Sequence, residues 1–173
     1  MANTYSLISS NVLSSDTASV TFSAIPATYT DLVLRASVRD DHASTIDSML
    51  VTINGSSSAI YSFTRLSGNG AAASSAAVSS NTVGIVNYIN ANTSTTNTFS
   101  SIEIYIPSYT ANQNKPYSIV TSTENNVTTA WTSAIANLFS STSAITSIGL
   151  APSNGTPLWL TGSSFYLYGI KSS

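Results

Sequence analysis

Hydrophobic and polar residues alternate with a period of two along most of this chain. In DLVLRASVRD, at residues 31–40, Leu32 and Leu34 share one face, and Arg35 and Arg39 share the other. Such alternation is typical of β-strands with one buried face. Similar short runs recur from end to end, and turn-forming sequences such as Asn-Gly and Pro-Ser-Asn-Gly lie between them.

The number and spacing of these runs predict an all-β fold, namely an antiparallel β-sandwich of about ten short strands with jelly-roll-like topology. We expect little or no helix, because helical spacing is rare along the chain. The alternation also assigns one side of each strand to the core. The residues predicted to be buried are Phe22, Leu32, Leu34, Val38, Val51, Ile53, Ile102, Ile104, Ile106, Ile119 and Ile148.

Two segments allow more than one interpretation. Residues 127–140 place Trp131, Ile135 and Leu138 at helical spacing, but abundant Ser and Thr favour an extended chain, with a short helix as the alternative. Residues 67–98 are rich in small residues and predict an exposed arm or long loop. A small edge strand at residues 83–89, between two flexible turns, is the alternative there.

Length and composition narrow the functional classes. The 173 residues are expected to form a single domain over positions 1–173. Only 7% of residues are charged, where about 25% is typical, and the five basic residues are scattered, so nucleic acid is not an expected partner. The opening residues do not resemble a signal peptide, and no apolar run is long enough to span a membrane. The absence of cysteine excludes disulfides and thiol catalysis.

Charge concentrates at one place, in RDDHASTID at residues 39–47, which holds the only histidine of the chain. Asp40, Asp41 and Asp47 could supply carboxylates to calcium, which takes about six to eight oxygen ligands. Zinc would need more ligands than His42 and its acidic neighbours readily offer. We favour a polar turn between two strands, because Asp, Ser and Thr are common turn residues and Arg39 could neutralise Asp40 or Asp41. No metal is therefore expected, and calcium at the three aspartates is the alternative.

The residues give little support for an enzyme, and no cofactor is expected. A serine nucleophile would need His42 as its base, and no Gly-x-Ser-x-Gly sequence is present. Glu103 and Glu124 could form a glycosidase pair, but Glu103 alternates with isoleucines and is expected on a solvated face. No catalytic residue is assigned.

Tyrosine and tryptophan are the residues best suited to contact a partner, and the chain has nine Tyr and two Trp. Exposed aromatic rings can bind sugar rings or pack subunit against subunit, and we favour subunit packing because Tyr is enriched at protein interfaces. By alternation, either Tyr166 and Tyr168 or their neighbours Phe165 and Leu167 face outward. The interface candidates are Tyr88, Tyr105, Tyr166 and Tyr168.

Five stretches carry a family resemblance: AIPATYTDLVLRASVRD near the start, NTFSSIEIYIPSY in the middle, and then STENN, AITSIGL and the closing LYGIKSS. They resemble small β-sandwich structural proteins of tailed bacteriophages, over nearly the whole length of the chain. The resemblance lies in packing and turn residues rather than in a chemical motif, so it implies no catalytic residues. It implies a virion protein that folds in the host cytoplasm before assembly.

The resemblance leaves the position within the virion open. We expect a capsid decoration or cement protein, because the chain has no repetitive stalk. A tail or fibre-tip adhesion module is the first alternative, and a carbohydrate-binding module is the second. The expected partners are further copies of the chain in a homo-oligomer, often a trimer in such proteins, and other virion proteins such as the major capsid protein. A host surface glycan is a further candidate.

Overall fold

A computed structural model describes residues 4–126 and 130–171 of the chain. These residues form twelve strands and no helix, and every pairing between strands is antiparallel, so the predicted all-β antiparallel sandwich is confirmed. Within this part of the chain, no helix has the length and hydropathy needed to cross a membrane. The strands are β1 (Tyr5–Val12), β2 (Val20–Phe22), β3 (Asp31–Val38), β4 (Ile46–Ile53), β5 (Tyr61–Gly68), β6 (Ala73–Asn81), β7 (Gly84–Asn90), β8 (Ser100–Ile106), β9 (Lys115–Thr123), β10 (Trp131–Phe139), β11 (Ile148–Pro152) and β12 (Ser164–Ile170).

The strands form two sheets of unequal size. The larger sheet has eight strands in the order β1-β12-β3-β8-β9-β10-β5-β6, and the smaller sheet has four in the order β2-β11-β4-β7. Several connections, such as β3 to β4 and β10 to β11, carry the chain from one sheet to the other, as the jelly-roll-like topology requires. By contrast, β8, β9 and β10 are consecutive neighbours in the larger sheet and form a meander.

The hydrophobic core is a single cluster built from the facing sides of the two sheets. All eleven residues that alternation assigns to the core are buried. Buried residues also pair across strands, as Leu32 of β3 does with Ile106 of β8. Trp159 is the largest fully buried side chain, and its indole N–H donates a hydrogen bond to the Leu150 carbonyl oxygen at 3.3 Å. Its polar atom is therefore satisfied inside the core.

The exposed arm or long loop predicted for residues 67–98 is wrong, because two strands occupy most of this segment. β6 is an edge strand of the larger sheet, and its Ala and Ser side chains are mostly exposed, so that small residues suffice there. β7 is an edge strand of the smaller sheet, as the alternative interpretation expected, and its Val86 and Ile89 are fully buried. Backbone pairing thus orders a segment whose composition suggested a loop.

The extended interpretation of the other ambiguous segment is confirmed for the residues that β10 contains. β10 lies inside the larger sheet between β9 and β5, and its Ile135 and Phe139 are buried while Ala134 and Ala136 are exposed. A period of two therefore prevails over the helical spacing of the same residues, because strands pair with this segment on both sides. Residues 127–129, which belong to the same prediction, lie outside the described residues.

Two of the five basic residues are buried and hold loops in place. The Lys115 ammonium group donates hydrogen bonds to carbonyl oxygens in residues 111–113 and 141–142. Hydrogen bonds from a charged donor are roughly twice as strong as those between neutral groups. The Arg39 guanidinium does the same for another loop, donating at 2.6–3.3 Å to the carbonyl oxygens of Asn92, Ser94, Thr95 and Thr98.

Candidate functional site

The charged segment at residues 39–47 does connect β3 to β4, but it is more than a polar turn because part of it belongs to the core. Arg39 and Asp40 are buried, and they form isolated β-bridges with Asn90 and Trp159. The Arg39 guanidinium binds backbone carbonyls, whereas we expected it to neutralise Asp40 or Asp41. That expectation is corrected, since the loop at residues 92–98 supplies four acceptors within reach of the guanidinium.

Asp40 and Asp47 bring two carboxyl groups together beneath this segment. Asp40 is 0% exposed, and one of its oxygens accepts the His42 backbone N–H at 3.1 Å. Asp47 Oδ1 accepts hydrogen bonds from Ser153 Oγ at 2.6 Å and from Asn154 Nδ2 at 2.8 Å. Burial, and then the negative charge of Asp47, raise the pKa of Asp40 to about 8. Asp40 is therefore mostly a neutral acid at pH 7.

The calcium candidate formed by Asp40, Asp41 and Asp47 is not assembled as a set of ligands. Asp41 Oδ1 accepts the Leu158 backbone N–H at 2.6 Å, and Asp40 keeps its proton at neutral pH. Across residues 4–126 and 130–171, no group of three or more His, Cys, Asp or Glu side chains is placed to hold a metal ion.

The residues considered for catalysis are also kept apart. In the described part of the chain, the His42 ring has one hydrogen-bond neighbour, Asn154, whose Nδ2 lies 3.4 Å from His42 Nε2. Glu103 pairs in register with Val120, and Glu124 lies four residues further along the chain. Glu124 lies beyond the end of β9, so the two acids are not cross-strand neighbours.

Three of the four interface candidates lie on one surface, which we call the outer face: the side of the larger sheet that points away from the core. Tyr166 and Tyr168 of β12 point outward and are partly exposed, while their neighbours at positions 165 and 167 are fully buried. Tyr105 of β8 also lies on the outer face, and its hydroxyl donates a hydrogen bond to Asp31 Oδ2 at 2.8 Å. The fourth candidate, Tyr88, belongs to β7 of the smaller sheet and is not part of this face.

A row of paired side chains crosses the outer face through its middle. Its central members are Arg35 and Glu103, whose Nε and Oε2 atoms form an exposed ion pair at 2.9 Å. Beyond Glu103 the row becomes apolar and ends in Val120, Ala134 and Leu66, which are paired in that order on β9, β10 and β5. Val120 is 52% exposed and Leu66 is 62% exposed. We call these last three residues the Val120 patch.

A second candidate site lies where β5 and β9 end and β10 begins. The rings of Tyr88 and Trp131 stack with centroids 4.2 Å apart and planes 15° from parallel. The Arg65 guanidinium lies 5.1 Å from the centre of the Tyr88 ring, close enough for a cation–π interaction. Trp131 also lines a cleft of about 490 Å³, together with Asn69 and Glu124.

The backbone at Tyr88 is strained in a way that sets the direction of its ring. Its φ of 62° lies in the left-handed region, which bulky residues rarely adopt and which costs about 1–3 kcal/mol. Asn87 pairs with Ser48 and Ile89 with Asp47, so Tyr88 is the extra residue of a β-bulge. Sequence reasoning singled out Tyr88 and Trp131 as aromatic residues but missed their contact, because period-two alternation carries no signal for a bulge.

Comparison of the chain with protein-family models, curated proteins and solved structures finds no match.

Proposed function

We propose that this chain is a non-enzymatic structural protein of a bacteriophage virion, and that it decorates the capsid by docking its outer face against a shell protein. The observation that carries the proposal is the Val120 patch, where apolar side chains lie side by side on a sheet surface and two of them are more than half exposed. Contiguous exposed apolar groups mark interaction surfaces. The sequence resemblance to phage structural proteins supports the assignment to a virion.

The surroundings of the patch suit a protein partner. Short hydroxyl side chains, which lose less conformational entropy on burial than long ones, surround the patch. They are Thr64, Ser118, Ser122 and Thr132, and all four are exposed. A partner that covers this area would remove apolar surface from water, at about 25 cal/mol per Å², without immobilising long chains.

A second exposed apolar area lies on the outer face at the edge formed by β1. Tyr5, Leu7 and Val12 of β1 are each more than half exposed, and the Tyr5 ring lies 6.5 Å from that of Tyr168 in an edge-on arrangement. The Arg35–Glu103 ion pair lies between this apolar area and the Val120 patch. The matching surface on the shell should accordingly be neutral, and binding should depend only weakly on salt.

The proposal is tested by placing a charge in the patch and, for comparison, elsewhere on the larger sheet. Val120→Lys is suitable because Glu103 lies directly opposite in the sheet and would tolerate the new cation. Val78→Lys is the matched control, since Val78 of β6 is also an exposed valine, at 40%, but pairs with the inward-facing Phe63. We expect Val120→Lys to abolish retention on purified capsids and Val78→Lys to bind like the parent protein.

Two results would contradict the proposal: no retention of the parent chain on capsids, or equal retention of Val120→Lys. Sedimentation of the free protein determines whether it docks as a monomer or as a homo-oligomer. The copy number in purified virions, measured by quantitative mass spectrometry, separates the two positions in the particle. A number comparable to that of the shell subunits indicates decoration, and a much smaller number indicates the tail or fibre tip.

A further inference from the structure

Tyr88 combines a strained backbone with an unusual position. The bulge in β7 turns its side chain toward the larger sheet, where it meets Trp131 and Arg65. Bulges that redirect a side chain in this way are common beside binding sites, as is backbone strain. Trp131 and Tyr88 remain partly exposed, although their rings are large enough to fill a core position. The strained backbone of Tyr88 therefore positions an aromatic pair that is partly exposed to solvent, not one that fills the core.

The cleft beside Trp131 offers polar groups that the fold does not use. Asn69 Oδ1 accepts the backbone N–H groups of Ala71 and Ala72, which leaves its amide Nδ2 without a partner among the described residues. Glu124 Oε1 accepts N–H groups from the two residues that follow it, and Glu124 Oε2 has no partner in that part of the chain. One donor and one acceptor thus line the same cleft as the partly exposed Trp131.

From this arrangement we infer that the cleft lined by Trp131, Asn69 and Glu124 binds a neutral oligosaccharide. A sugar ring presents C–H groups that pack against an aromatic face, and hydroxyl groups that both donate and accept hydrogen bonds. The indole supplies the apolar platform, Asn69 the donor and Glu124 the acceptor. A nucleotide is disfavoured because no cluster of basic residues accompanies the ring. Tyr88 and Arg65 act behind Trp131 and hold its orientation.

The inference is tested with short neutral oligosaccharides of hexoses and N-acetylhexosamines, first on an array and then by titration of tryptophan fluorescence. The second tryptophan, Trp159, is fully buried, so a ligand-induced change in emission reports on Trp131. We expect saturable binding by at least one of these sugars. Trp131→Ala should weaken it by about tenfold or more, equivalent to ~1.4 kcal/mol. Tyr168→Ala, on the outer face, should bind like the parent.

A gentler variant keeps the test valid if Trp131→Ala unfolds. Asn69→Asp retains the oxygen that accepts the Ala71 and Ala72 N–H groups and replaces the amide donor with a charged oxygen, which only accepts hydrogen bonds. It should therefore fold normally and still weaken sugar binding. If none of the oligosaccharides binds the parent chain at millimolar concentration, the inference is overturned. It is also overturned if folded Trp131→Ala, or folded Asn69→Asp, binds the sugar as tightly as the parent does.

Discussion

Replacing Asp40 with Asn should remove most of a pH dependence that the folded chain owes to one buried acid. Asp40 is 0% exposed, and its pKa is raised from 3.8 to about 8, by burial first and by the charge of Asp47 second. Asparagine has nearly the same shape and keeps the oxygen that accepts the His42 N–H. The substitution therefore removes the titration while preserving the backbone contact.

The direction of the effect follows from which state holds the proton. Below pH 3.8, the pKa of the group in the unfolded chain, Asp40 is protonated in both the folded and the unfolded chain, so its titration does not lower the free energy of unfolding. Between 3.8 and about 8 the unfolded chain releases the proton and the folded chain keeps it, so stability falls as pH rises. The loss is on the order of 1 kcal/mol per pH unit, hence several kcal/mol over the window. Above the folded pKa the contribution is constant.

Urea unfolding of the parent and of Asp40→Asn, measured at intervals from pH 5 to pH 9, gives the required comparison. We expect the free energy of unfolding of the variant to exceed that of the parent by an amount that grows with pH up to about 8. Glu103→Gln is the control, because it removes an exposed carboxylate and leaves Asp40 in place, and so separates the effect of Asp40 from that of removing any negative charge. Parallel curves for Asp40→Asn and the parent would refute the reasoning.

Four further outcomes can be checked by chemical or thermal unfolding. Ile104→Ala should destabilise the fold by about 2–5 kcal/mol, because Ile104 is 1% exposed in the core. A smaller loss would show that neighbouring side chains fill the cavity that the truncation leaves. Arg39→Lys should cost about 2–4 kcal/mol and speed hydrogen exchange in the loop that the guanidinium binds, since a lysine cannot reproduce the planar donor set. Gly169→Ala should cost about 1–3 kcal/mol because a Cβ would overlap the Tyr29 ring, whereas Gly68→Ala, whose Cβ would make only an ordinary contact with the Ala72 carbonyl oxygen at 3.9 Å, should cost less. Added calcium or a chelator should leave the melting temperature unchanged, and a rise with calcium would establish a metal site between β3 and β4.

The parts of the fold that could be predicted are those where one face of a strand is buried. β8 shows why: it alternates between core and solvent along its length, so a one-residue error in register would place its isoleucines in water. The same rule placed Tyr166 and Tyr168 on a common face, although it could not decide whether they or their neighbours point outward. Their orientation depends on which side the smaller sheet covers.

The rest could not be predicted because it depends on contacts between distant residues. β1 and β6 are edge strands whose side chains are mostly exposed, so they show no alternation that a sequence could reveal. Arg39 looked like a turn residue because the carbonyl groups that bind it belong to residues 92–98. The Tyr88–Trp131 stack requires a bulge, and a bulge interrupts the period on which the prediction relied.

The pairing of β1 with β12 determines how the molecule responds to mechanical force. The two strands are antiparallel, Tyr5 lies opposite Ile170, and the Lys171 backbone N–H reaches the Thr4 carbonyl oxygen at 3.2 Å. A force that separates Thr4 from Lys171 acts along the inter-strand hydrogen bonds, which lie perpendicular to the strands. The hydrogen bonds then break one pair at a time. A force directed along the strands would instead stretch all of them at once. The fold should peel at low force from this edge, while pressure normal to the outer face is spread over eight strands.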